Sequence, residues 1–240
     1  MLARRDLVGE LMDDPALAAQ AHHIALRGLQ RINRVSRTAA VLWPRIERIL
    51  SSSPNTRASL LDVACGGGDL AIAIAQRSRQ RGLVLQVQGC DFSDTALQHA
   101  SQAATRVGVP VKFFGMDVTA ELPPQHYTFI TCTLFLHHLT DARIVTLLRT
   151  LAGHSDHLLV SDLIRGQTGY LLAWMGTKLL SRSPIVHEDG LRSVRAALTL
   201  HEARKLATEA RLNGARFERH WPQRFLMTWS RTHEALHGSG

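Results

Sequence analysis

A short apolar run, Leu60-Leu61-Asp62-Val63-Ala64, gives way to three consecutive glycines, Gly66-Gly67-Gly68, and then to the helical pattern Leu70, Ile72, Ala73, Ile74. The pattern reads as a strand, a tight turn and a helix start, with no side chain in the turn to hold a ligand away from the backbone. Such a loop commits the chain to an α/β layer structure in which ligands sit beyond the carboxyl ends of the strands. Asp62, an acid inside the strand, is unusual for a generic nucleotide cradle.

The hydrophobic pattern continues that rhythm. Strands are expected at 59–64, 84–90, 111–116, 127–132 and 157–162, with helices at 69–79, about 94–106 and 141–152 between them. Strands separated by helices of this length imply right-handed crossovers and a parallel sheet covered on both faces. The rhythm breaks at 165–198, a partly apolar, partly polar insertion expected to act as a lid. A helix at about 200–212 follows, and then two β-like segments, 215–221 and 224–229, turn around Pro222-Gln223. The expected fold is therefore a Rossmann-like, seven-stranded, mostly parallel sheet closed by an antiparallel hairpin. Residues 1–54 are expected to form an N-terminal cap of two or three helices, ending in the linker Ser51-Ser52-Ser53-Pro54-Asn55, with the main domain at 55–240.

Composition narrows the function classes. At 240 residues, 45% hydrophobic and 20% charged, the chain reads as one soluble globular unit with a substantial core. No apolar run reaches a bilayer span, and the acid-rich start reads as neither a secretory signal nor a transit peptide, so a cytoplasmic location is expected. Cys65, Cys90 and Cys132 sit near strand ends without CxxC spacing, and reduced structural thiols are expected instead of a metal centre. The net charge of +8 invites nucleic acid as a partner, but aromatics are only 5% and no Lys/Arg block occurs. Arg27, Arg31 and Arg34 read as a solvated helix face, and no nucleic-acid partner is expected.

The strand ends carry the chemistry. Asp91, closing the second strand, can accept two hydrogen bonds from a ribose diol, and the adjacent Phe92 can lie on an adenine face. Asp117, closing the third, can accept from an exocyclic amine. Each acid could equally cap the segment that follows it. Gly66-x-Gly68-x-x-Ala71 formally satisfies the dinucleotide fingerprint, which keeps a nicotinamide-dependent or non-catalytic nucleoside-binding protein open. Against a dehydrogenase stand Asp62, the lack of a Tyr-x-x-x-Lys pair and the terminal hairpin.

Leu61-Asp62…Gly66-x-Gly68, Asp91, Asp117-Val118 and Leu136-His137-His138-Leu139 together closely resemble the class I S-adenosylmethionine-dependent methyltransferases, over about residues 58–163. Within that class the chain looks like the group around the ubiquinone and menaquinone biosynthesis methyltransferases. It departs from the pattern at Ala64, where many members have glycine, and at Thr128, where many have an acid. The resemblance implies that S-adenosylmethionine packs its methionine portion on the Gly66–Gly68 backbone, with Asp62 near its amino group and Ala64 also in the cofactor site. Asp91 would hold the ribose, Phe92 and Val118 would flank the adenine, Asp117 would bind its amine, and Leu134 would line the same pocket.

Methyl transfer from a sulfonium needs an aligned nucleophile and a group to take one proton. His138 is the first choice of base, with His137 and His187 as further candidates. His187 with Asp189 can form a His–carboxylate pair, and Arg192 or Arg195 can orient an anionic substrate. Tyr170, Leu171, Trp174 and Met175 are expected to form an apolar wall for an aromatic, quinone-like or polyketide-derived acceptor, most simply methylated on oxygen. The same residues could instead form packing contacts, a homodimer face or a peripheral membrane contact. RNA or protein remains the alternative acceptor, although Cys132 lacks the preceding proline of carbon-methylating RNA enzymes.

Overall fold

The computed structural model describes residue 2 and residues 4–13, 17–52 and 57–231. The expected linker around Pro54 lies largely outside the described residues. The parallel strands are β1 (Ala58–Val63), β2 (Leu85–Asp91), β3 (Val111–Gly115), β4 (Tyr127–Thr133) and β5 (Ser155–Leu163). Two more, β6 (Arg216–His220) and β7 (Arg224–Ser230), complete one seven-stranded sheet in the order β3-β2-β1-β4-β5-β7-β6. Only β7 breaks the parallel run: it pairs antiparallel with β5 and, across the closing hairpin, with β6. The order reverses between β1 and β4, which places the crevice for a ligand at the carboxyl ends of those two strands.

Helices α1 (Ala19–Ser36), α2 (Thr38–Ser52), α3 (Asp69–Gln80), α4 (Asp94–Val107), α5 (Asp141–Gly153), α6 (Gln167–Leu180), α7 (Pro184–Ala196) and α8 (Leu200–Glu209) cover the sheet and its upper edge. Their starts follow local chemistry. Ser93 and Thr140 cap α4 and α5 by accepting from Ala96 N and Arg143 N, and Thr199 with Glu202 forms a reciprocal capping box on α8. One core lies on each face of the sheet. Leu42, Trp43, Ile46 and Leu50 of α2 pack with Leu60, Ile74 and Leu226, so α2 shares the core of the main domain, across the boundary expected near residue 54. On α1, Arg27 and Arg31 are exposed as the pattern implies.

The insertion is the helix pair α6 and α7. Val186-His187-Glu188-Asp189-Gly190, a polar stretch by sequence, spans the first and second turns of α7, with Val186 and Asp189 buried. Strand β2 starts at Leu85, and Val84 ahead of it is exposed. Among the described residues no helix is long and apolar enough to cross a membrane.

Candidate active site

The glycine loop has left-handed backbone at three points: Ala64 (φ 51°), Gly66 (φ 51°) and Gly68 (φ 76°). Ala64 thus takes up the conformation for which glycine is usual, at a cost of about 1 kcal/mol that its small side chain keeps low. The loop is anchored by Asp91: Gly66 N donates to Oδ2 (2.8 Å) and Ser93 N donates to Oδ1 (3.0 Å). From above, Gln30 and Asn33 of α1 donate to Asp69 at the start of α3 (2.9 and 3.4 Å). Helix α1 reaches the lid by a close approach at Gly28, where a Cβ would fall 2.4 Å from Ser181 Oγ.

A single cavity of about 1410 Å³ runs beneath α1 and α6, from this loop to the carboxyl ends of β4 and β5 and the amino end of β7. Ala64, Gly66, Asp91, Phe92, Leu134, His137 and His138 line it, as the sequence reading expects of them. Leu134, like Ala64, is a non-glycine residue at positive φ (56°), bending the chain out of β4 towards the histidines.

The remaining expected ligand residues are placed otherwise. Gly68 is not on the cavity surface; it packs under the loop, against Phe113 and Ala100. Asp62 is 1% exposed beneath the loop, where Thr131 Oγ1 donates to its Oδ1 (2.7 Å), so it does not reach the cavity. Asp117 turns into its own loop and accepts from Thr119 N (2.9 Å) and Thr119 Oγ1 (2.7 Å), the capping role open to it by sequence. Val118 is a core residue beside Leu61 and Val63.

Burial raises the Asp62 carboxyl to about 7, with the Asp91 and Asp69 charges adding to the shift. The folded chain therefore keeps this proton to higher pH than the unfolded chain, whose Asp titrates near about 3.9. Stability contributed by the site falls as pH rises through that interval. The Asp62→Asn variant, neutral at every pH, escapes this loss, so its advantage over wild type in urea unfolding is expected to be larger at pH 8 than at pH 5 by roughly 3 kcal/mol. A variant less stable than wild type at pH 8 would refute the account.

The far end of the cavity holds a charged cluster. The 3-10 turn Leu136–His138 follows β4, and it places His137 against Asp162 at the end of β5: His137 Nδ1 to Asp162 Oδ1 is 2.6 Å, and His137 N donates to Oδ2 at 3.2 Å. Glu10, from the N-terminal segment, closes the other side, its Oε1 3.4 Å from His137 Nε2 and 3.7 Å from His138 Nε2. Burial alone would lower the His137 pKa, but Asp162 and then Glu10 outweigh it and push it up to about 10. Burial likewise opposes ionisation of Asp162 and Glu10, and His137 reverses this and holds both below the usual carboxylate range. His137 is therefore an imidazolium between two carboxylates. His138, its ring centroid 4.4 Å from that of His137 and 5.9 Å from that of Phe135, is the more exposed of the two. The ligand atoms of Glu10, His137 and His138 lie within 4.8 Å of one another, close enough to share a divalent cation, although no metal centre was expected.

Glu10 carried no signal in sequence beyond its place in an acidic start. Its segment is strapped across the lid: Asp189 accepts from Leu11 N (2.7 Å) and Met12 N (3.0 Å), Ser193 donates to Glu10, and Arg192 donates to Gly9 O (2.7 Å). Asp189 is thus committed to this strap and makes no pair with His187, whose Nε2 lies 2.9 Å from Ser181 O in the turn between α6 and α7. Arg192 pairs with Glu188 (3.0 Å) and lies outside the cavity. Arg195 donates to Tyr170 Oη (3.0 Å) and stacks on its ring. The apolar wall comes from the other side of α6: Leu172, Ala173, Met175 and Gly176 line the cavity, whereas Tyr170, Leu171 and Trp174 do not. Leu171 and Trp174 are 54% and 47% exposed, and Lys178 sits over the Trp174 ring.

The three cysteines are free thiols, and Cys90 and Cys132 are buried in the core. Burial pushes the Cys90 thiol up to about 12, so none of this points to an activated nucleophile.

A family model described as a methyltransferase domain matches residues 60–155. A ubiquinone biosynthesis O-methyltransferase of Ralstonia nicotianae is 29% identical over 178 residues, 72% of each chain. One from Yersinia pestis is 32% identical over 140 residues, covering 57% of this chain but only 55% of the relative. Among solved structures, magnesium protoporphyrin IX methyltransferase from Synechocystis with bound S-adenosylhomocysteine superposes with a TM-score of 0.57 at 18% identity, covering 92% of this chain and 91% of that one. An O-methyltransferase family 2 protein from Planctomyces limnophilus in complex with apigenin gives 0.62 at 18% identity, covering 91% and 63%. At these identities the solved structures establish a common fold.

Proposed function

Because this chain is built on a class I S-adenosylmethionine-dependent methyltransferase domain, we propose that it methylates an oxygen of a small, flat, largely apolar acceptor. The observation that carries this reading is the single cavity, with the glycine loop and Asp91 at one end and the Glu10–His137–His138 cluster at the other, under the apolar wall of α6. When bound, S-adenosylmethionine supplies the activated methyl. Ala64, Gly66, Asp91 and Phe92 are positioned to seat it, with the Asp91 carboxylate facing a ribose while it holds the loop. The residues left for the protein's own chemistry must align the acceptor and accept its proton.

His137 already carries a proton and is enclosed by Asp162 and Glu10, so it positions the neighbouring ring and cannot act as a base. His138, on the cavity surface, is the group that takes the acceptor's proton. The O-methyltransferase relatives favour oxygen as the methylated atom, and the neighbour in complex with apigenin favours a flat phenolic acceptor. The mainly apolar lining of the cavity argues against RNA or a protein chain as substrate.

Calorimetric titration with S-adenosylhomocysteine, followed by a turnover screen of phenols and quinols against tRNA, tests the reading. Binding of the cofactor product with turnover of a phenol supports it, and methylation of tRNA alone would overturn it. The His138→Ala variant is expected to lose about 100-fold or more in kcat, with affinity for S-adenosylhomocysteine within about twofold of wild type. Unchanged kcat would remove His138 from the chemistry.

A further inference from the structure

We propose that Arg224 and Thr38 form a subsite for a carboxylate carried by the acceptor, so that the preferred substrate is a hydroxylated aromatic acid and not a neutral phenol. The inference rests on the methyl-transfer reading above and specifies its substrate class. Arg224 opens β7 directly after the hairpin turn, is 3% exposed, and lines the same cavity as His138 and the glycine loop. Its Nη1 donates to Thr38 Oγ1 (2.6 Å), and its Nε has no partner among the described residues.

A guanidinium this deep needs an anion, because burial without a counter-charge is costly. Burial pulls the Arg224 pKa down to about 10, which still leaves it charged at neutral pH, and Asp162 is the acid whose charge offsets that shift. Yet Asp162 is already engaged by His137 Nδ1, His137 N and Leu163 N. Register keeps the two apart: Asp162 lies opposite Phe225, and Arg224 lies opposite Leu163.

The surroundings fit an incoming carboxylate. Thr38 is the first residue of the 15-residue helix α2, so the positive end of that helix and a hydroxyl donor meet Arg224 at one point. Arg37, at the break between α1 and α2, lines the cavity beside it. Nearby on α1, Asn33 Oδ1 is a second buried polar atom without a partner among the described residues, an acceptor suited to a ligand hydroxyl. A guanidinium binds a carboxylate through two parallel hydrogen bonds, which fixes orientation as well as charge. Strand β5 lies between β7, which Arg224 opens, and β4, from which the chain runs into His138, so an acid seated at Arg224 would have His138 two strands away on the same cavity.

The cofactor's own carboxylate is the other possible occupant, and the test separates the two. With the protein saturated in S-adenosylhomocysteine, calorimetry would compare hydroxylated benzoic acids with their methyl esters. Wild type is expected to bind the acid at least 10-fold more tightly than its ester, Arg224→Gln to abolish that preference, and Arg224→Lys to retain part of it. Affinity for S-adenosylhomocysteine is expected to stay within threefold throughout. Should Arg224→Gln fail to fold, Thr38→Val reads the same subsite with a loss of about 3- to 10-fold for the acid alone. Esters binding as well as acids, no binding by any acid of the panel, or a preference that survives in Arg224→Gln would overturn the proposal. So would a 10-fold loss of S-adenosylhomocysteine affinity, which would assign the subsite to the cofactor. A wild-type protein that methylates neutral phenols and ignores the acids would keep the proposed function and lose only this inference.

Discussion

Asp162→Ala is expected to lower the unfolding free energy by about 3–5 kcal/mol and to abolish turnover. The wild-type carboxylate accepts three hydrogen bonds at full burial, from the ring and backbone nitrogens of His137 and from Leu163 N. Truncation leaves the His137 imidazolium with Glu10 as its remaining carboxylate, itself on a segment held to the lid by a few hydrogen bonds. It also removes the charge that offsets burial of Arg224. Two buried cations then lose the one carboxylate that acts on both, a larger penalty than any cavity left by a side chain of this size. Activity is lost by a separate route, because the His137 ring no longer fixes the His138 ring tilted against it. Asp162→Asn, which preserves the shape but not the charge, is expected to unfold between the two. Urea unfolding at pH 7 with parallel kcat measurements checks the prediction. An alanine variant within 1 kcal/mol of wild type would mean that the cluster is not held as an ion pair.

The parallel part of the sheet was legible because its strands are short, largely apolar segments bounded by a glycine, an acid or a cap, and the helices between carry one apolar face. Strand ends therefore fell within a residue or two of their expected places, including the antiparallel closure around Pro222-Gln223. The lid was harder. Its second helix read as a polar stretch because Asp189 and Ser193 share its buried side with Val186, Val194 and Ala196 and interrupt the apolar stripe of a core helix. The signal that was present is Ser183 followed by Pro184, a helix-opening pair, and Pro184 indeed begins α7.

The site divides along the same line. Residues set by local backbone, namely Ala64, Gly66, Asp91, Phe92, Leu134 and the two histidines, were readable because the turn that creates them is written in consecutive residues. Side-chain roles that depend on a distant partner were not. Asp62 and Asp117 were expected to face a ligand, but Thr131 and Thr119 take them. Tyr170 and Trp174 were expected to face the acceptor, but a rotation of α6 presents Leu172 and Gly176 instead. Glu10 and Arg224 reach the cavity only because segments far apart in sequence meet there. Arg224 did leave a trace: a charged residue heading Phe225-Leu226-Met227 contradicts the burial that its strand implies, and such local conflicts tend to mark functional positions.

Gly68→Val is the second substitution expected to have a large effect, and it separates the two reasons for glycine in the loop. At Gly68 a Cβ would fall 2.7 Å from Phe113 Cζ and 2.8 Å from Ala100 Cβ, on backbone with φ 76°. Left-handed backbone costs a non-glycine residue about 1–2 kcal/mol, and forcing extra carbons into a packed site adds about 1–3. The loop can relieve the clash only by lifting, which would break Gly68 N to Cys65 O (2.9 Å) and the Gly68 O contact that starts α3 (2.9 Å from Ile72 N). A loss of roughly 3 kcal/mol in stability and of about 100-fold in S-adenosylhomocysteine affinity is expected. Gly66 is the control. It has a similar φ of 51°, but a Cβ there meets nothing within 4 Å, and Ala64 already holds a methyl side chain at φ 51°. Gly66→Ala should therefore cost only about 1 kcal/mol in ligand-free unfolding. If the two variants unfold alike, backbone conformation alone governs the loop. If Gly68→Val is the weaker by about 2 kcal/mol or more, the contact of Gly68 with Phe113 and Ala100 is what holds the cofactor loop in place.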